Sequence, residues 1–213
     1  MLQHIGAQNV LYPMPVTLIG TMVHGRPNFI NIAHVGIFNA ATPHRISLGM
    51  AKVHYSNIGI REHKTFSVNL PSEDMVTVAD YVGLVSGKSV DKAKLFDCFF
   101  GQLETAPIIR TCPLAMECRL VDTVDSPTHD IFVGEVVATY ADPAVMTDGR
   151  VDFAKVKPLL FDMPSRRYWS LGAPVAKAWS EGKKLKDQSE QPGFALATAT
   201  AAAGDQGGQS DPE

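Results

Sequence analysis

Arg45-Ile46-Ser47-Leu48-Gly49-Met50 alternates without exception, placing Ile46, Leu48 and Met50 on one face of an extended segment. A period of two fits a half-buried strand and not a helix, whose faces repeat every 3–4 residues. Lys64-Thr65-Phe66-Ser67-Val68-Asn69-Leu70 repeats the pattern and is closed by Pro71. Val16 to Val23 is apolar and β-branched, His24-Gly25-Arg26-Pro27 offers a turn, and Asn28 to Ala33 resumes the extended pattern, which together predict a hairpin. Leu114 to Leu120 and Asp130 to Tyr140 read as two longer strands joined by an Asp125-Ser126-Pro127-Thr128 turn. Lys157 to Pro164 encloses a short proline-bracketed strand. Many short strands with alternating faces predict a mainly β barrel or sandwich.

Helices are few and peripheral. Asn57 to His63 forms a short one between two strands. Ser72 to Tyr81 is expected to form another, with Ser72 as the cap and Glu73 and Asp74 at the positive end. Asp91 to Phe96 and Asp152 to Pro158 are each about a turn of helix.

The chain has 213 residues, 45% of them hydrophobic, enough for one domain with a sizeable core. That domain is expected over residues 1–185. From Lys186 onward the composition turns to Ala, Thr, Gly and Gln, with five acids to one lysine and Phe194 the one aromatic. Such a segment cannot bury enough apolar area to offset its ordering entropy, so residues 186–213 are expected to be a disordered tail. The formal charge of −3 therefore sits in the tail, and residues 1–185 carry 18 bases against 17 acids. A nearly neutral domain suits one small anion and excludes a nucleic-acid surface.

No apolar run reaches the length of a spanning helix, and Met1 to Gly6 lacks the pattern of a secretory signal. Three cysteines without a CxxC pair indicate neither a disulfide scaffold nor a zinc knuckle. The expectation is a soluble protein of the reducing cytoplasm, with no membrane partner.

Motifs for chemistry are sparse. Seven histidines include no HExxH and no clear i, i+4 helical pair, so no metal site is indicated. There is no Gly-x-Ser-x-Gly elbow; Cys112 precedes Pro113 and an apolar strand, Cys118 alternates into that strand, and both read as small buried groups. Ser86-Gly87-Lys88-Ser89 lacks the earlier glycine of a phosphate-binding loop, since Val82 stands at that place. That loop faces a ligand or is a plain solvated turn. Lys52, His54, Tyr55, Ser56 and Asn57 lie where a strand gives way to a helix, whose N-terminus attracts phosphate. Taken alone, those residues favour a capped surface helix with incidental polar neighbours over a phosphate cradle. Arg166-Arg167-Tyr168-Trp169 suits stacking on a planar anion, a subunit contact, or a terminal segment docked on the core.

Several of these segments together resemble the flavoredoxins, a group within the flavin reductase-like family of FMN-binding split barrels. They are Pro13-Met14-Pro15-Val16, Arg45 to Asn69 with its Tyr55-Ser56-Asn57 helix start, Asp74 to Lys92, Pro113 to Arg119, Phe132-Val133-Gly134-Glu135 and Lys157 to Phe161. The resemblance runs from about Gly6 to Trp179. It implies a homodimeric six-stranded antiparallel split β-barrel with small peripheral helices, binding one FMN per subunit near the dimer interface. It assigns Asn31, Ile32 and Ala33 to the flavin ring and Met50, Ala51, Lys52, His54, Tyr55, Ser56 and Asn57 to the strand end and phosphate cradle. The Ser86-Gly87-Lys88 loop would approach the flavin edge. Flavoredoxins often carry an aromatic beside the ring where this chain has His34-Val35, and His34 would stack there or donate to a flavin carbonyl.

The activity implied is electron transfer through bound FMN, as a flavin-dependent oxidoreductase or an electron carrier. NAD(P)H or a redox protein would be donor or acceptor, and no catalytic dyad is required. The second reading is a non-catalytic split-barrel protein that binds another flavin or haem without NAD(P)H turnover.

Overall fold

The computed structural model describes residues 1–185. The chain runs β1 (Met14–Pro15), β2 (Thr17–Val23), β3 (Arg26–Ile32), β4 (Val35–Asn39), β5 (Arg45–Ala51), α1 (Ser56–His63), β6 (Thr65–Leu70) and α2 (Val76–Leu84). It continues through β7 (Cys98–Phe99), β8 (Ile108–Ile109), β9 (Leu114–Asp125), β10 (His129–Ala141), β11 (Met146–Thr147), β12 (Arg150–Val151), α3 (Phe153–Val156), β13 (Leu160–Asp162) and β14 (Arg167–Trp169). One compact unit spans Met1–Gly172, and Ala173 begins a second unit, of which residues 173–185 are described: irregular chain over 173–177, turn over 178–182 and helix over 183–185. The tail expected over 186–213 lies outside the described residues.

A single antiparallel sheet of seven strands, in the order β3-β2-β6-β9-β10-β5-β4, makes the fold mainly β. Its hydrogen-bonded ladder is open between β3 and β4, where the implied barrel has six strands. The strictly alternating segment behaves as its pattern demands: Ile46, Leu48 and Met50 of β5 are buried and their neighbours half-buried. These three pack with Ile19, Phe66, Val68 and Phe132 in one core. Full burial of each such side chain stabilises by about 1.5–3 kcal/mol.

β6 departs from the half-buried expectation, because both of its faces are covered from Thr65 to Asn69. Phe66 and Val68 enter the core, while the opposite face hydrogen-bonds the segment before β9. Asn69 Oδ1 accepts from the Ile109 N–H at 2.8 Å, and Ser67 Oγ donates to the Pro107 carbonyl. The polar half of the alternation thus serves buried partners, as polar groups out of water must.

The β2–β3 hairpin turns on two residues, tighter than the expected four. His24 and Gly25 both have positive φ, 49° and 75°, which matches the twist of a two-residue hairpin. Arg26 and Pro27 already belong to β3. The expected Ser72 cap is not formed: Ser72 is extended, bridges to Pro158 and makes no side-chain cap bond. A 3-10 turn at Glu73–Met75 precedes α2, which runs on to Leu84. β4 had no sequence signal, since its residues are mostly exposed and do not alternate.

α2 buries Ala79 and Val82 against Val16, Leu18, Phe29 and Leu159 in a second core. The small sheet β1-β13-β14 lies beside it and pairs Phe161 with Tyr168. The Tyr168 hydroxyl donates to Asp80 Oδ1 of α2 at 2.8 Å. That bond places an aromatic pair at the end of the main sheet.

Candidate functional site

Three adjoining cavities follow the outer side of β3. The first, about 310 Å³, has Asn31, Ala33, His34, His54, Gly83 and His129 on one side and Phe161 and Tyr168 on the other. The second, about 280 Å³, shares Asn31, His54 and Gly83 with it and adds Asn28, Tyr55, Ser56, Ser86 and Lys92. The third, about 440 Å³, shares Asn28, Tyr55, Gly87 and Lys92 with the second and opens between the β2–β3 hairpin and the 85–92 loop.

Five rings line the first cavity, those of His34, His54, His129, Phe161 and Tyr168. His34 and His129 meet edge to face at 6.2 Å between ring centres, and Phe161 and Tyr168 lie 5.4 Å apart. Tyr12 Oη and His34 Nε2 are 3.2 Å apart, and Thr128 Oγ1 and His129 Nδ1 are 2.8 Å apart. These bonds fix how the rings sit. Burial, then the neighbouring His129, holds the His34 imidazole below its ordinary value. His54 is lowered by burial, then by His129 and Lys92. Both rings are neutral at pH 7 and each offers one N–H and one lone pair. Burial and the Asp80 bond push the Tyr168 hydroxyl up to about 12, so it stays a donor.

In the second cavity the Asn28 amide donates to Ser56 Oγ at 2.7 Å, fastening β3 to the start of α1. The N–H groups of Asn57 and Ile58 already bond the carbonyls of His54 and Tyr55, so the helix end has fewer free donors than its sequence promised. Two buried polar atoms beside it have no partner, His54 Nδ1 and Asn57 Oδ1. Each such group costs about 1–3 kcal/mol unless something else meets it.

Lys92 closes the far side. It is 3% exposed, and Nζ donates to the carbonyls of Phe29 at 3.0 Å and Val82 at 2.7 Å. Among the described residues no carboxylate pairs with it, and burial lowers its ammonium to about 8. The Val82 carbonyl is one that the C-terminus of α2 leaves open, where a cation is favoured. Gly87 is required at this junction: a Cβ there would collide with the Asn28 amide and come within 2.8 Å of the Tyr55 ring.

Most of the residues that the sequence pointed to line these cavities, with exceptions. Asn31, Ile32, Ala33, His34 and Ala51 line the first cavity, His54 the first and second, and Tyr55, Ser56 and Ser86 the second. Lys88 belongs to the third cavity, away from the one with the aromatic walls. Met50 is fully buried in the core, so only its main chain is near the site. Asn57 is buried behind the cavities, its amide donating to the Ala51 carbonyl at 2.9 Å. Lys52 lines none of the three; its ammonium is 2.5 Å from Asp125 at the exposed end of β9. Sequence reasoning missed Asn28, Lys92, His129 and Phe161, which come from four separate segments with no local motif.

The arrangement fits a flat heteroaromatic ligand with an anionic tail. Cavities of this size suit part of a cofactor each, and the unpartnered His54 Nδ1 belongs to a residue that lines the first two. The sequence model of the family described as "Flavin reductase like domain" matches residues 10–169. A flavoredoxin from Methanosarcina acetivorans is 43% identical, with a TM-score of 0.83 over 86% of this chain and 100% of that one. The flavoredoxin of Desulfovibrio vulgaris (Miyazaki F) is 34% identical, with a TM-score of 0.79 over 85% and 100%. An uncharacterized protein of Aeropyrum pernix is 29% identical over 137 residues, 62% of this chain and 51% of its own length, so the chain spans about half of that relative. The domain match covers β3, both helix starts and the aromatic pair that enclose the cleft, and by it this chain belongs to the flavin reductase-like family of flavoproteins.

Proposed function

We propose that the cleft binds FMN and that the protein transfers electrons through it. The observation that carries this reading is the pairing of a ring-lined cavity with a buried, carboxylate-free ammonium one cavity away. In this reading His34, Phe161 and Tyr168 face the ring system, and Asn31 and Ala33 lie along its edge. Ser56, Tyr55 and His54 meet the phosphate, and Lys92 neutralises it. Bound FMN supplies a two-electron centre that takes a hydride or electrons from a donor and gives them to an acceptor. The chain's own part is to orient that centre, exclude water from one side and answer the phosphate charge.

Two flavoredoxin structures with more than a third of their residues identical support FMN-type electron transfer. An oxidoreductase of NADH or NADPH and a carrier for a redox protein are both within this reading. We also propose a cytoplasmic homodimer. Support comes from the three free cysteines and from the edge strand β4, whose Ile37 and Phe38 are 79% and 61% exposed. No helix among the described residues is long and apolar enough to cross a membrane.

The test is direct. The purified protein is yellow, or takes up added FMN, and reductant bleaches it. Lys92→Met weakens FMN by about tenfold or more, the scale of one hydrogen bond to a charged group, and leaves riboflavin affinity unchanged. A colourless protein that takes up no FMN overturns the reading. Anaerobic titration with NADH, NADPH and a reduced ferredoxin then identifies the donor.

A further inference from the structure

His34 lines the first cavity from the short stretch between β3 and β4, and its main chain is fixed there. The Gly49 N–H donates to the His34 carbonyl at 2.7 Å, and a Cβ at Gly49 would come within 3.2 Å of the His34 Cβ. The two nitrogens of the His34 imidazole stand in different surroundings. Nε2 is 3.2 Å from Tyr12 Oη. Nδ1 has no partner among the described residues and stays open to solvent, unlike the enclosed Nδ1 of His54. Tyr12 precedes β1 and lines none of the three cavities along β3. It lines a separate one with Pro13, Leu160 and Trp169, so it acts on the first cavity through His34.

A neutral imidazole carries one proton, and the bond made by one nitrogen decides whether the other holds it. A phenol hydroxyl gives its proton to a hydrogen bond more readily than its ring-conjugated oxygen accepts one, whereas an unprotonated imidazole nitrogen is a strong acceptor. No other group among the described residues competes for the Tyr12 hydroxyl. Tyr12 therefore donates, Nε2 accepts, and the proton of the ring sits on the open Nδ1.

We propose that Tyr12 is a positioning residue: it holds His34 as an N–H donor in the ring-lined cavity, and through that donor it raises the reduction potential of the flavin bound there. The inference rests on the reading that the flavin ring occupies this cavity. Oxidised flavin takes two electrons and one proton from its donor, and the reduced ring then carries one more negative charge than before. An N–H set against that charge stabilises the reduced form more than the oxidised one, and no proton leaves His34. The opposite tautomer would set a lone pair against the same charge.

Two measurements at one pH test this, with the other titratable groups of the cavity, His54, His129 and Tyr168, kept in every variant. Proton–nitrogen NMR correlation of the labelled apoprotein, with His34 assigned by its loss in His34→Phe, reads the tautomer. Nδ1 is expected to carry the proton in the wild type, and Tyr12→Phe to return His34 toward the Nε2-protonated form that a free imidazole favours. Dye-coupled reduction of the FMN-loaded protein reads the potential. Tyr12→Phe is expected to weaken the reduced form against the oxidised by about tenfold, a fall of about 30 mV for two electrons, whereas a merely loosened cleft would weaken both forms alike. His34→Phe lowers the potential at least as far, and adding Tyr12→Phe to it lowers it no further. A wild-type His34 protonated on Nε2 overturns the proposal. So does a Tyr12→Phe potential equal to or above that of the wild type, or a further fall in the double variant. If FMN itself does not bind, the functional reading fails separately, and the tautomer of the apoprotein with and without the Tyr12 hydroxyl still decides whether Tyr12 sets the donor.

Discussion

The Lys92 ammonium donates to the Phe29 carbonyl at 3.0 Å while almost fully removed from solvent, and its other protein partner is again a carbonyl. A buried cation with only neutral partners is held at a cost, which appears as an ammonium lowered by burial to about 8. The unfolded chain keeps its lysine near 10.4. Between those values the unfolded state binds the extra proton, so stability rises as pH climbs from 8 to about 10.4, by at most about 3 kcal/mol. Below pH 8 the full cost is present. Urea unfolding of the apoprotein at pH 7.5, 9 and 10 is expected to show that rise, and Lys92→Met to remove it. If the FMN phosphate pairs with the charged form as proposed, the sign reverses for binding: affinity is expected to fall above about pH 8, with proton uptake there.

The two lowered imidazoles act in the acid range. His34 and His54 have folded values below 6.5, so the unfolded state holds more protons from there down to those values. Stability therefore falls as pH drops through that window. Thermal unfolding at pH 5.5 and 7.5 is expected to show a loss on acidification that His34→Gln with His54→Gln reduces.

Lys52 separates what a resemblance suggests from what the packing provides. Its ammonium is on Asp125, and both side chains are substantially exposed. An exposed pair of this kind is worth about 0–1 kcal/mol. Lys52→Ala is expected to leave FMN affinity within about twofold, against tenfold or more for Lys92→Met. Fluorescence titration of the two variants side by side checks the contrast; equal losses would return Lys52 to the phosphate.

Gly87→Ala tests the junction of the second and third cavities. The new methyl must displace either the Asn28 amide or the Tyr55 ring, and Asn28 is held by its bond to Ser56. Overpacking of this sort costs about 1–3 kcal/mol. The expected result is a lower unfolding midpoint together with weaker FMN binding, because the residues displaced are those that line the cleft.

How far the site could be read in advance depended on the range of the interactions. The alternation of β5 is local, so Ile46, Leu48 and Met50 were legible as one buried face. The helix start at Ser56 was legible for the same reason. β6 was read correctly as a strand but not as a central one, because what covers Ser67 and Asn69 is a segment 40 residues away. Lys92 carries no local mark at all: its partners lie 63 and 10 residues distant, and only the packing of α2 on β3 turns an ordinary lysine into a buried cation. Lys52 shows the opposite case: sequence proximity put it beside the helix start, and its ammonium meets a carboxylate 73 residues away at Asp125.

Glu117 supplies the control that separates folding from binding. It is fully buried in β9, and its carboxylate accepts from the N–H groups of Gly101, Gln102 and Leu103 at 3.1, 2.8 and 3.1 Å. The Tyr140 hydroxyl adds a fourth bond at 2.9 Å. None of those four residues lines the cleft. Glu117→Leu strands three main-chain donors in the interior and is expected to cost about 3 kcal/mol or more. Glu117→Gln keeps an acceptor oxygen but turns an amide toward donors, so its loss is smaller. Urea unfolding measures both, with the slope unchanged if only stability has moved. The folded fraction of each variant is expected to bind FMN as the wild type does, and a matching loss of affinity would mean that the 98–105 loop supports the cleft after all.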